Sequence, residues 1–348
     1  MAITIKEIAV KAGVSRGTVD RVLHNRGGVK PDIAEHVRLI ARELGYKPNR
    51  AARLLAARKQ PVKIGCMLPA LGNPFFDEVI KGIHLAEEEL ADFGATVCVK
   101  QIRGYDTQEH LQAIQELAEK EKCNALCLST IDTPEIRAYV NRMSADDIPV
   151  VAFNTDLTDT KRICYVGSDY FNGGSTAAGL LALVVKNEKQ HILVFTGSLR
   201  MKGHNERLQG FTQTLGDRHV PYEIMDIFET QDSDEVAYAK AMLALSRHDD
   251  INCIYMVAAG AAGVCRAVEE KGLSGEDIVM ISNDAVPSTK EYLKKGIIRF
   301  TICQEPILQG YRAVQKVFDY IVGDEKGAQQ DWFTNTVIKV RENLDEEY

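Results

Sequence analysis

The sequence predicts two architectures in one chain: an α N-terminal module, and behind it an α/β body of two Rossmann-like parallel-sheet lobes with a ligand cleft between them. Three observations carry this. Residues 1–60 hold 13 Lys and Arg against 5 Asp and Glu, a net +8 in a chain of net −7, which leaves −15 on the remainder. The same residues place apolar side chains at helical spacings of three and four. From Val62 onward, short β-branched runs alternate with helical stretches, the pattern of parallel sheets covered by helices on both faces.

In the N-terminal module, Thr4 and Glu7 form a capping box ahead of Ile5, Ile8, Ala9 and Ala12, and Gly13 ends that helix. Ser15 caps a second helix. Its Val19, Val22 and Leu23 fall on one face, and Arg16, Gly17, Asp20 and Arg21 on the other. Pro31-Asp32 opens a third, with Ile33, Val37, Ile40, Ala41 and Leu44 inward and Gly45 as its stop. Two short helices joined by a tight Gly turn, with a third packed across them, make a helix-turn-helix unit over 1–48. The next segment, YKPNRAARLLAARKQP, has Asn49 as an N-cap and ends at Pro61. It is too short to hold a helix alone in water, so residues 49–61 read as a hinge that orders against a partner.

The body, 62–340, begins with strands VKIGCML, ATVCVKQI, NALCLS, IPVVAF and ICYVG, with helices at 75–93, 107–121 and 133–144 between the first four. After a helix at 171–186 come strands HILVFTG, YEIMDIF, NCIYMV, DIVMIS and IIRFTI, separated by helices at 203–215, 233–246, 260–271 and 286–295. A helix at 306–322 and a last strand near TVIKV follow, and 341–348 reads as a C-terminal tail. So long a series exceeds one sheet. Two lobes are expected, with the cleft where strand ends meet.

Composition narrows the function. MAITIKEIAVKAGV is interrupted by Lys6, Glu7 and Lys11 and is no secretory signal. No apolar run approaches the ~18 residues of a membrane span. The eight cysteines sit mostly inside apolar runs, and the closest pair, Cys123 and Cys127, has no second pair or His cluster to complete a metal site. Buried reduced thiols in a cytoplasmic protein are the expectation, with no cofactor and no metal. GxxxxGK[ST], GxSxG and HExxH do not occur, and GAAG at 260–263 lacks GxGxxG spacing, so an enzyme is not expected. A cationic head on an anionic body is the asymmetry of a polyanion-binding module joined to something else.

On the second helix, an Arg fork can donate to guanine O6 and N7, and an acid can accept from cytosine N4. Gly17 costs the helix about 1 kcal/mol relative to Ala but permits close approach. A solvated face with an Arg16–Asp20 pair is the competing reading.

Residues 3–58, through TIKEIAVKAGVSRGTVDRVLHNRGGV and ELGYKPNRAARLL, closely resemble the headpiece of the LacI family of bacterial regulators. The resemblance implies that Arg16, Gly17 and Arg21 read the major groove, with Asp20 on the same face, and that Thr4, Ser15, Thr18, His24 and Asn25 lie on the phosphate side. Asn49 would begin a hinge helix in which Leu55, with Ala52 and Arg53 beside it, enters the minor groove; an apolar wedge there unstacks one step and bends the duplex. Asp20 and His24 stand where the family usually has Ser and Asn, and Ala56 replaces a frequent basic residue. An unusual operator preference and a weaker minor-groove hold are the expectations.

The body resembles the type I periplasmic sugar-binding fold, through NPFF, FNTD, YVGSDYFNGG, RLQGF, SND and ICQEP in that order. By position, Phe75 and Phe76 would sandwich a sugar ring, and Asn73, Asn154, Asp156, Arg207, Asp284 and Gln304 would bond its hydroxyls. Each has a plain structural alternative: a loop anchor for NPFF, a helix cap for Asp284, a hinge position for Gln304, a surface charge for Arg207. Ala258-Ala259 replaces the usual Asn-Asp pair, so one hydroxyl contact is missing. The resemblance implies a repressor of carbohydrate-related genes, binding a pseudopalindromic operator as a homodimer or higher oligomer and controlled by a small sugar or polyol. The alternatives are a transporter's solute-binding protein, which needs a signal or lipid anchor and no basic headpiece, and a sugar-converting enzyme, which needs a catalytic constellation.

Overall fold

The structure is a computed structural model that describes residues 3–23, 28–44, 61–69, 71–185, 188–323 and 325–346. The chain divides into two compact units, Met1–Gln60 and Pro61–Tyr348.

The first unit contains α1 (Ile5–Ala12), α2 (Arg16–Leu23) and α3 (Pro31–Glu43). The Thr4 hydroxyl accepts from the Glu7 amide while the Glu7 carboxylate accepts from the Thr4 amide, so both ends of the capping box are made. Gly13 stops α1 at φ 66°, a left-handed conformation glycine adopts without cost. The Ser15 hydroxyl accepts from the Thr18 amide at 3.0 Å and so caps α2. Ile8, Ala9, Ala12, Val19, Val22, Val37, Ile40 and Ala41 form the core, with Leu23, Ile33 and Leu44 packed at its edge. Gly45 and, apart from Pro61, the whole expected hinge lie outside the described residues. So do the site positions His24, Asn25, Asn49, Ala52, Arg53 and Leu55.

The second unit is two doubly wound lobes. The first sheet has strand order β11-β5-β4-β3-β1-β2, all parallel, from β1 (Val62–Leu68), β2 (Ala95–Gln101), β3 (Ala125–Leu128), β4 (Val150–Phe153), β5 (Tyr165–Gly167) and β11 (Trp332–Phe333). It carries α4 (Phe75–Ala91), α5 (Thr107–Gln115, running on into a π turn over Glu116–Lys120) and α6 (Pro134–Ala145). Asp106 and Thr133 cap the last two helices. The second sheet has order β12-β10-β9-β8-β6-β7, from β6 (Gln190–Thr196), β7 (Tyr222–Glu229), β8 (Cys253–Met256), β9 (Val279–Asn283), β10 (Ile298–Cys303) and β12 (Val337–Lys339), with only β12 antiparallel. Its helices are α7 (Tyr170–Val184), α8 (Lys202–Asp217), α9 (Asp234–Arg247), α10 (Ala261–Glu270) and α11 (Pro287–Lys295).

The chain crosses between lobes three times. It leaves the first after β5, returns after β10 as α12 (Pro306–Ile321), which packs on α4 with the short α13 (Glu325–Ala328) beside it, and crosses again between β11 and β12. Sequence alternation alone did not show that α12 and β11 belong to the first lobe. Glycines mark the closest helix pair there: a Cβ at Gly82 would lie 2.0 Å from the Ile307 carbonyl oxygen, and one at Gly310 would lie 2.0 Å from that of Val79.

The expected tail is not one. A 3-10 turn at Arg341–Asn343 sets Leu344, 3% exposed, into the second lobe's core, and the Lys339 ammonium donates to the carbonyls of Asn343 and Glu346. An apolar anchor and a buried cation hold this segment, and their pairing is not visible in its local composition. All eight cysteines are free thiols, and all but half-exposed Cys98 are buried. Among the described residues no helix is long and apolar enough to cross a membrane, and no group of three or more His, Cys, Asp or Glu forms a cation site.

Candidate functional site

In the first unit, Val19 and Val22 turn inward and leave Arg16, Gly17 and Arg21 exposed on one side of α2, with Asp20 half-buried among them. Gly17 has only the Ser15 hydroxyl within 4 Å of where its Cβ would be, so that face is flat and open. Thr4, Ser15 and Thr18 are committed locally: Thr4 to Glu7, and Ser15 to the Thr18 amide and hydroxyl. Ser15 thus caps the N-terminus of α2 next to the exposed Arg16, while Arg21 stands in the last turn of the same helix.

In the second unit, the C-terminal ends of β1, β4, β9 and β10 and the start of α8 surround one cleft. Asn73, Phe75, Phe76, Asn154, Arg207, Asp284 and Gln304 all line it. Asn73 accepts from the Phe75 amide at 3.1 Å, which fixes the NPFF turn. Phe75 and Phe76 stand edge to face, with centroids 5.2 Å apart at 77°. In contact with each other, they leave no gap for a ring between them. They form one apolar wall rather than the expected sandwich.

Arg207 is 5% exposed, donates to the Val257 carbonyl at 2.7 Å and lies 4.6 Å from the centre of the Tyr170 ring. Asp284 follows β9 at φ 65°, and its two oxygens accept from the Gln304 amide nitrogen at 3.1 and 3.0 Å. Burial pushes its carboxyl up to about 6, against the opposing pull of Arg207 and Gln304. Asn154, at φ 61°, donates to the Tyr170 hydroxyl and to Gln309 Oε1. Gln309 in turn donates to Gln304. A continuous polar chain, Asn154–Gln309–Gln304–Asp284, therefore runs from one lobe to the other.

Asp156 is not in the cleft. Its carboxylate is gripped by Arg162 at 2.5 and 3.1 Å and by Lys202 at 3.0 Å, and these cations hold its pKa below the ordinary value against burial. It is an interlobe ion pair rather than a ligand contact, because the two cations turn it away. A further acid that lines the cleft is Asp232, in the loop after β7, whose Oδ2 accepts from Tyr105 at 2.5 Å and Asn73 at 3.1 Å across the lobes. Gly197 makes room for it, since a Cβ there would lie 2.4 Å from Asp232 Oδ1. Tyr105 is a neutral phenol, its pKa raised by burial and by Asp232, and burial likewise keeps His204 neutral. Thr155 and Thr289 also line the cleft with buried hydroxyls that have no hydrogen-bond partner. The signal for Asp232 lay in its position at the end of a strand, in a segment that none of the resembling motifs covers. Ala258 and Ala259 line the cleft without any side-chain polar atom.

Residues 4–49 match the family described as bacterial regulatory proteins, lacI family, and residues 64–325 match the periplasmic binding protein domain. Among similar proteins is the HTH-type transcriptional regulator DegA of Bacillus subtilis, 25% identical over 296 residues that cover 82% of this chain and 85% of the relative. The ribose operon repressor of the same organism is 27% identical over 288 residues, 82% of each. Among solved structures, GanP, a glucose-galactose binding protein from Geobacillus stearothermophilus, matches 82% of this chain and 100% of its own with a TM-score of 0.75 and 28% identity. With an open cationic helix face on one unit and a two-lobed cleft in the other, the chain belongs to the LacI family of bacterial regulatory proteins, DNA-binding transcription regulators.

Proposed function

We propose that this regulator is a cytoplasmic repressor of carbohydrate-related genes, bound as a homodimer to a pseudopalindromic operator and controlled by a small sugar or polyol held between the lobes of its second unit. It catalyses no reaction. The observation that carries the effector reading is the convergence of an apolar Phe75–Phe76 wall with Asn73, Arg207, Asp232, Asp284 and Gln304 in one cleft. Apolar ring faces beside convergent hydrogen-bonding groups suit a polyhydroxylated ring. The names of the relatives support the same direction, one being a ribose operon repressor and another a glucose-galactose binding protein.

Arg16, Gly17, Asp20 and Arg21 are the proposed base-reading set, and a helix-turn-helix that reads two half-sites one turn apart works as a dimer. Operator binding measured for the full chain over a salt series, with and without sugars and polyols, tests this. Strong salt dependence together with a sugar-induced change in operator affinity is the expected result. Turnover of the sugar, or sugar binding with no affinity for any DNA, would overturn it.

A further inference from the structure

The cleft's charge selects the class of effector. Asp232 and Asp284 both line it, and Asp234 stands at its edge. The only guanidinium among the cleft's lining residues, that of Arg207, is committed to the Val257 carbonyl at 2.7 Å and to the face of Tyr170. His204 is buried and neutral. Helix N-termini also open on the cleft, among them those of α8, α10 and α11, and would ordinarily welcome an anion. That of α10 is occupied, because Asp234 Oδ1 accepts from the Gly263 amide at 3.1 Å, while those of α8 and α11 have no side-chain cap and supply only partial charge against two full ones. Among the described lining residues, the buried polar side-chain atoms left without partners are two acceptors, Asp232 Oδ1 and Asn283 Oδ1, and the hydroxyls of Thr155 and Thr289.

We propose that the effector is an uncharged polyhydroxylated ring that presents hydroxyl donors to Asp232 and Asp284, and that the site rejects the phosphate ester and the uronic acid of the same ring. This rests on the effector reading above and narrows it. An anion placed in the cleft meets two carboxylates at close range, and among the described residues that line it no uncommitted side-chain cation offsets them. Like-charge contact of that kind weakens binding by at least about a hundredfold. An ammonium in place of one hydroxyl is tolerated, since it donates to the same carboxylates.

The test is calorimetric titration of the full chain with D-glucose, D-galactose, D-ribose and myo-inositol. Each is set beside its monophosphate, and each hexose also beside its uronic acid and amino sugar. The expected result is that the parent that binds best loses at least about a hundredfold as its phosphate or acid and about tenfold or less as its amino sugar. Asp232→Asn keeps the shape and the acceptor for Tyr105, and it should narrow the gap between parent and phosphate by about tenfold. A phosphate or acid that binds as tightly as its parent overturns the inference and leaves the effector reading standing, as does an unchanged gap in Asp232→Asn. No binding by any member of the panel overturns the effector reading itself, and this inference with it.

Discussion

Asp284 is held against its own chemistry, and replacing it with Asn separates stability from response. Its carboxyl rises from the ordinary 3.8 to about 6 because burial disfavours the charged form more than Arg207 and Gln304 favour it. Between those values the folded chain binds more protons than the unfolded chain, so stability falls as pH rises through that window. The full shift corresponds to about 3 kcal/mol at one pKa unit per 1.36 kcal/mol. Asp284 keeps partial exposure to the cleft, so solvent screening lowers the expected penalty to about 1–3 kcal/mol above pH 6.

Asn carries no charge, keeps an acceptor for the Gln304 amide, and tolerates the left-handed φ of 65°. Asp284→Asn should therefore stabilise the second unit by about 1–3 kcal/mol near pH 8 and by little near pH 4. It should also lose effector response while operator binding persists. Urea denaturation across that pH range, beside operator titrations with effector, measures both. A variant no more stable than the parent at high pH refutes the electrostatic account. A stability gain that does not shrink toward pH 4 refutes it equally, and an intact effector response refutes the placement of Asp284 in the site.

Arg21→Ala should relax base preference and weaken operator binding while leaving effector affinity unchanged; operator selection from a random library that matches the parent would count against the groove assignment. Asp156→Ala should destabilise the second unit by about 1–3 kcal/mol, by leaving the half-buried Lys202 with Glu206 alone at 3.6 Å and Arg162 with Asp331 alone, and should leave the chemistry of effector selection intact. Because the pKa of Asp156 is lowered, its stabilising contribution is present above the ordinary 3.8 and is lost as pH falls below it, so parent and variant should converge in acid denaturation. Gly310→Ala should cost about 3 kcal/mol or more, since the added methyl would strike the Val79 carbonyl of α4; a normal urea midpoint would mean that the two helices can separate freely.

The alternation of strands and helices was legible because each element's periodicity is local, and so were the caps at Thr4 and Gly13. What periodicity cannot carry is lobe membership. The helix over 306–321 looks like any other amphipathic segment, and only glycines 228 residues apart, Gly82 and Gly310, allow it to lie against α4. β11 is two residues long and has no pattern to read. The two acids make the same point in the site. Asp156 and Asp232 both stand just beyond a strand end. Asp156 is drawn out of the cleft by Arg162 and Lys202, whereas Asp232 is held in it by Tyr105, 127 residues away in sequence. Which acid faces the cleft is decided by distant partners, so a motif read along the chain does not identify it.

The same geometry explains why a ligand in this cleft can act as a switch. Phe75, Phe76 and Asn73 belong to one lobe and Arg207, Asp232 and Asp284 to the other, so no ligand bonds both sets unless the lobes stand at one separation. A ligand therefore has unequal affinity for different separations, which is the condition for shifting an equilibrium. The three crossings are tied to one another: the Ser168 and Thr334 hydroxyls lie 2.7 Å apart, and Glu305, at φ 50°, accepts from the Asn335 amide at 2.7 Å. Segments bonded together in this way move together. Closure becomes a displacement of one lobe against the other rather than a local loop change.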